Sequence, residues 1–219
     1  MDRVTDAFSW PVRDSEWLTK LLIIALILLI PIAGAINGLG WMLATLDRLR
    51  AGDETLAPAN LSYMGRGIRL FVVNIVYGLA VVLVAGAIYV PALLIAAGQS
   101  QGSANPALVS LAIVLSLLAF SVATLGTLAL NFALPSIVLA TDRDGIQGGL
   151  RISAVLRRSR INVANTLIAG LMLIAAGFVG SLGIVLCGIG VLFTSAYALA
   201  MQAWIIRSFE LGSAAAKAA

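Results

Sequence analysis

The sequence predicts an all-α fold: a polytopic membrane helix bundle with four full transmembrane helices, a broken or re-entrant first hydrophobic segment, and basic interfacial helices. Three observations predict it. Of 219 residues, 61% are hydrophobic and 11% charged, against roughly half apolar and a quarter charged in soluble domains. No Asp, Glu, Lys or Arg occurs between Leu70 and Thr141, or between Ile161 and Ile206. One crossing takes about 20 apolar residues, so each charge-free block holds two crossings joined by a short turn. The remaining charges gather at segment ends, where they set topology.

Residues 1–20 read as an interfacial lead-in. Phe8, Trp10 and Trp17 suit the headgroup level, Pro11 stops any earlier helix, and Asp14 or Ser15 is placed to cap the next one. This stretch mixes four acids with three bases and lacks an apolar core with a small-residue cleavage site, so no cleavable signal peptide is expected. The first hydrophobic segment, 21–46, is interrupted by Pro31, Gly34, Asn37, Gly38 and Gly40. As one helix it would be about 39 Å long and could cross with tilt. Two half-helices meeting near Pro31 to Gly38 fit equally. The choice decides on which side the N-terminus lies.

A polar loop punctuated by Gly and Pro leads from Asp47 to Arg69. Crossings are expected at 67–97, 106–140, 161–182 and 185–206. Between the second and third, residues 142–160 carry Arg143, Arg151, Arg157, Arg158 and Arg160. At 100° per residue, Ile146, Leu150, Ala154 and Ile161 share one face while Arg151 and Arg158 share another, the pattern of a basic amphipathic helix lying on a membrane surface. Residues 1–211 then form a single integral membrane domain and 212–219 a flexible tail. Lys and Arg number four between Arg48 and Arg69, five between Arg143 and Arg160 and two after Ile206, with none in GQSQGSANP or GFVGSLG. The arginine-bearing regions, and with them the C-terminus, are therefore expected on the cytoplasmic side.

Arg66 and Arg69 before RLFVVN, and Arg157 and Arg160 before RINVAN, share the pattern R-x-x-R-[L/I]-x-V-x-N. That suggests a weak parallel duplication, or simply two helix starts obeying the same topology rule. Asn74 and Asn165 lie about 7.5 Å deeper than their arginines, and Asn131 could meet them at a comparable depth. These asparagines, with Asn37, could hold a polar headgroup or solute, or serve as interhelical glue. Ser116, Ser121, Thr124 and Thr127 read as packing residues bonded to their own helix carbonyls.

The chain contains no histidine, which excludes His-ligated haem or zinc and His general-base catalysis within it. No carboxylate lies in the apolar blocks, so the usual proton-relay group of pumps is missing. Asp47, Asp53, Glu54, Asp142 and Asp144 sit beside arginines and read as solvated pairs. Cys187, the one cysteine, reads as a small buried hydrophobe. No cofactor or metal is expected.

The stretches FSWPVRDSEWLTKLL from Phe8, LIPIAG from Leu29, LDRLRAGDETLAP from Leu46, GRGIR from Gly65 and LCGIGVLFTSAYALAMQAW from Leu186 resemble the domain of unknown function 4013 family, multi-pass membrane proteins of bacteria and archaea. The family often carries a Leu-Pro-acid-Trp motif in the first loop, where this chain has Leu56-Ala57-Pro58-Ala59. The resemblance implies an all-helical membrane protein of a prokaryotic cell membrane and supplies no activity.

The functional expectation is a non-catalytic subunit or scaffold of a membrane complex. Arg66, Arg69, Arg151, Arg157, Arg158 and Arg160 would contact lipid or a cytoplasmic partner. Its partners would be membrane lipids and other membrane subunits or further copies of itself, and not nucleic acid. The alternative is a small transporter or channel, motivated by the broken first segment and the asparagines.

Overall fold

The computed structural model describes residues 4–99, 105–185 and 190–218. Every regular element among them is helical: two short 3-10 turns, Val4–Phe8 and Trp10–Arg13, then α1 Trp17–Leu28, α2 Ala33–Arg50, α3 Met64–Gln99, α4 Pro106–Leu150, α5 Ile152–Ile161, α6 Val163–Ser181 and α7 Gly190–Ala218. Three apolar stretches are long enough to cross a membrane: α3, α4, and α6 with the 3-10 turn that extends it to Val185. The fourth expected crossing, 185–206, runs through 186–189, which lie outside the described residues together with Cys187 and residues 100–104 of the polar linker. Beyond them α7 begins at Gly190 and stays helical to Ala218, past the point where the sequence suggests a loose tail.

The chain divides into two compact units, residues 1–73 with 131–219, and residues 74–130. The first is built around α7. Its inner positions are small (Ala196, Ala200 and Ala203, all fully buried), so neighbouring helices approach closely, while Met201, Ile205, Ile206 and Phe209 fill the space between them. α6 returns alongside α7 in the opposite direction: the Thr194 hydroxyl near the start of α7 donates to the carbonyl of Gly180 at the end of α6. Asn165 near the start of α6 donates to Phe209 in the second half of α7.

The first hydrophobic segment is two helices. Residues 29–32 break it, and Ile32 takes φ 63°, a conformation a β-branched residue adopts only under constraint. A Cβ on Gly34 would meet the backbone of Ile27 and Leu28, so the second helix starts hard against the end of the first. As one helix, Lys20 and Arg50 would lie about 45 Å apart, and the run from Arg50 to Leu56 reaches back at most about 20 Å. Yet the Lys20 ammonium donates to the Leu56 carbonyl at 3.3 Å. The segment therefore folds back on itself.

The lead-in packs inward. Trp10 is fully buried and stacks on Trp204 at 5.3 Å between ring centroids, so the anchor role expected of it is replaced by a core role. Trp17 meets Phe193 edge to face at 6.4 Å. After α2, the loop is stitched along that helix. Trp41 Nε1 donates to the Ala57 carbonyl and Thr45 accepts from the Ala57 amide. Asn37 holds the Asn60 carbonyl at 2.9 Å and the Tyr63 amide at 3.2 Å. α3 then crosses α2 so tightly that a Cβ on Gly67 would fall on the Ile36 carbonyl oxygen.

The stretch expected as one surface helix over 142–160 is divided. α4 runs to Leu150 through a break at Gly145, whose φ of 68° suits glycine, and α5 begins after Arg151. α5 ends at Asn162, whose side chain accepts from the Asn165 amide and caps α6. In the other half of the proposed duplication, Arg66, Arg69 and Asn74 all lie within the unbroken α3, so the two copies differ in local structure.

The second unit, 74–130, comprises the distal part of α3 and the first part of α4. Asn105 caps α4 through the Ala107 amide, with Pro106 in the first turn. Ser116, Ser121 and Thr127 return their hydroxyls to carbonyls four residues earlier, each at 2.8 Å.

Candidate functional site

The densest polar feature is an ion-pair cluster in the first unit, assembled from four helices. α2 supplies Asp47 and Arg50, α3 supplies Arg66, α4 supplies Asp142 and Arg143, and α7 supplies Arg207 and Glu210. Arg50 grips Glu210 with two nitrogens, at 3.0 and 3.3 Å, the fork geometry that suits guanidinium to carboxylate. Its remaining nitrogen reaches Asp142 at 2.8 Å and Asp47 at 3.1 Å. Arg66 donates to Asp142 at 2.6 and 3.1 Å and is also bonded to Asp47. Arg207 and Arg143 complete the shell around Glu210 at 3.2 and 3.3 Å.

The Asp142 side chain keeps only 8% of its surface exposed, so this pair differs from the solvated pairs the sequence suggests. Burial pushes the Glu210 carboxyl upward, but bonds from Arg50 and Arg207 outweigh it and hold the group below its ordinary range. A second, smaller knot ties the lead-in to the first loop. Asp14 is buried and accepts from Lys20 at 2.8 Å and from the amides of Glu16 and Leu56, both at 2.9 Å. Burial again raises this carboxyl, and the bonds, with Lys20 foremost, lower it further than burial raises it.

The expected contact residues are distributed unevenly. Arg66 belongs to the cluster. Arg69 is exposed and, with Arg66, Thr141 and Asp142, borders a cavity of about 300 Å³. Arg151, Arg157 and Arg160 are exposed on or beside α5, and the last two line an open groove of about 500 Å³ with Ser153, Leu156 and Ile161. Arg158 turns the other way: it is half-buried, and its Nη1 has no partner. The α5 face also differs in detail from expectation, since Ile152, Leu156 and Ile161 are exposed and Val155 is the buried residue.

Two asparagines have structural duties. Asn37 anchors the first loop, and Asn165 donates to Phe209 and to Ser213. Asn74 and Asn131 are half-buried; the former belongs to the second unit and the latter to the first. Sequence reasoning missed Asp14, Arg50, Arg207 and Glu210. Glu210 had a signal, as the only acid after Asp144 and three residues beyond Arg207.

Chemically, each carboxylate of the cluster is a fixed anion held by at least two guanidinium groups, an arrangement suited to clamping helices. Among the described residues no group of three His, Cys, Asp or Glu side chains could hold a metal ion. No protein of curated function and no solved structure matches the chain. A family model, that of the protein of unknown function DUF4013, matches residues 23–189. The chain, with its broken first segment and long apolar helices inside that range, belongs to the DUF4013 family.

Proposed function

We propose that the protein is a non-catalytic, multi-pass scaffold subunit of a prokaryotic cell membrane. In this reading α7 makes the fourth crossing, the C-terminus is cytoplasmic, and α5 rests on the anionic inner leaflet. The observation that carries the reading is the contrast between two sets of arginines. Those of the cluster lock four helices together, whereas Arg157 and Arg160 stand exposed beside exposed Ile152 and Leu156. An exposed face that pairs cations with apolar side chains suits a lipid interface, at about 1 kcal/mol per basic residue near an anionic leaflet. The commitment of every cluster carboxylate to guanidinium partners supports a structural rather than a proton-transfer role. The bonding of Asn37 and Asn165 to backbone and neighbouring side chains supports scaffold over solute transporter.

The test uses the full chain in nanodiscs. Amide exchange across α5 is expected to slow in phosphatidylglycerol relative to phosphatidylcholine, and Arg151→Gln/Arg157→Gln/Arg160→Gln is expected to abolish the difference. Equal exchange in both lipids would remove the lipid-facing role. Co-purification from native membrane tests the subunit role directly, and recovery of the chain alone in stoichiometric purity would argue against it.

A further inference from the structure

We propose that a second site, on the inward side of α5, binds a phosphate-class anion between Arg143 and Arg158. These two residues border a cavity of about 120 Å³ together with Ser213, Glu210 and the apolar side chains of Leu139 and Phe209.

Arg158 carries an unsatisfied donor. Its Nη1 is buried without a hydrogen-bond partner, an arrangement that costs free energy unless a ligand or water supplies the acceptor. Burial and then the charge of nearby Arg143 both disfavour its protonated form, and Glu210 and Asp144 only partly offset them. Since a guanidinium does not release its proton under ordinary conditions, the strain is relieved by an anion.

Glu210 cannot fill that role, because it already serves Arg50, Arg143 and Arg207. Adding Arg158 and its neighbour Asp144 gives five arginines around four carboxylates, Asp47, Asp142, Asp144 and Glu210. The excess is positive. Ser213 adds a donor: its oxygen accepts from Asn165 at 3.1 Å, which leaves the hydroxyl hydrogen available.

Donors arriving from α4, α5 and α7 suit the non-coplanar oxygens of a tetrahedral phosphate group better than a planar carboxylate. Arginine binds such groups with paired, charge-assisted bonds. The apolar walls admit the glycerol end of a phospholipid as readily as they border a free ion, and basic pockets between helices at the cytoplasmic surface are a recurrent headgroup site. This site does not depend on the outward face of α5 meeting the leaflet.

The experiment reconstitutes the full chain in phosphatidylcholine nanodiscs and follows the thermal unfolding midpoint in two arms. One adds phosphatidylglycerol to the disc, and the other adds inorganic phosphate to the buffer at constant ionic strength. A saturable rise is expected. A rise with the lipid alone assigns the site to a headgroup, a rise with inorganic phosphate alone assigns it to the free anion, and a rise with both shows that the phosphate group itself is recognised. Arg158→Gln should weaken the apparent affinity roughly tenfold or more, whereas Arg48→Gln, which removes the same charge at an ion pair with Asp53 away from this cavity, should leave it unchanged.

If Arg158→Gln does not fold, Arg143→Gln/Ser213→Ala should show the same loss. The proposal is overturned if neither arm raises the midpoint. It is equally overturned if the Arg158 variant, or in its place the double variant, behaves as the parent, or if Arg48→Gln loses as much as Arg158→Gln. Loss of the α5 exchange difference with this response intact would remove the surface reading alone.

Discussion

The two units use the same apolar residues in opposite ways. In residues 1–73 and 131–219, large side chains such as Trp10, Trp41, Met201 and Phe209 are sealed inside the protein, and charges are gathered into a cluster that joins four helices. In residues 74–130 no charge occurs, and Val82, Leu94, Phe120 and Leu125 stand at least 65% exposed. The most apolar window of α3 is only 11% buried. Exposed hydrophobics on this scale need a nonpolar surrounding, which a bilayer supplies without any packing partner from the protein. Composition alone therefore does not report burial: one unit carries its own core, and the other is built for an outside solvent of lipid.

This contrast means that truncating a large side chain should matter far more in the first unit. Trp10→Ala removes a fully buried ring stacked on Trp204 and leaves a cavity, for an expected loss of about 4 kcal/mol in reversible unfolding from mixed micelles. Phe120→Ala, at 71% exposure, is the matched control and should cost well under half as much. Equal losses would break the comparison.

The cluster gives the next largest effect. Glu210→Gln deprives Arg50, Arg143 and Arg207 of a shared anion. An expected loss of about 2–3 kcal/mol follows, below the range for fully buried pairs because Arg50 remains about a quarter exposed. The same group sets an acid limit. Its folded-state pKa lies below its unfolded value, so its contribution is full above about pH 4.3 and disappears as pH falls through the depressed value. Asp14 acts in the same direction from a lower starting value. The parent's unfolding midpoint should accordingly decline below about pH 4, and Glu210→Gln should flatten that decline; an unchanged profile would show that other carboxylates govern it.

How much of this could be read in the sequence varied with the range of the interaction. Local chemistry was legible: Asn105-Pro106 marks the start of α4, Pro31 and its glycines mark a broken segment, and the hydroxyls of Ser116 and Ser121 bond back to their own helix. Long-range partners were not. Trp10 has the composition of an interfacial anchor, and only its meeting with Trp204 makes it core. Arg66 has the spacing of a topology signal, and only the convergence of α2, α3 and α4 gives it Asp47 and Asp142. Within α5, periodicity alone placed Arg158 opposite an apolar face; the break at Gly145 and the start of α5 at Ile152 altered which side chains face inward.

The smallest expected effect is also the most direct probe of the difference between the units, because it adds one methyl group to a helix in each. At Gly67 a Cβ would collide with the backbone oxygen of Ile36. Backbone cannot swing aside as a side chain can, so Gly67→Ala must separate α3 from α2, at an expected cost of about 1–3 kcal/mol. At Gly86 a Cβ meets nothing within 4 Å, and the helix gains from the lower backbone entropy of alanine in the unfolded chain. Gly86→Ala should therefore be neutral or stabilising by up to about 1 kcal/mol. Opposite signs for two identical substitutions in one helix, α3, measured by the same unfolding assay, would place the boundary between self-packed and lipid-packed structure between these two glycines. A comparable loss at Gly86 would mean that a protein surface, rather than lipid, covers that face.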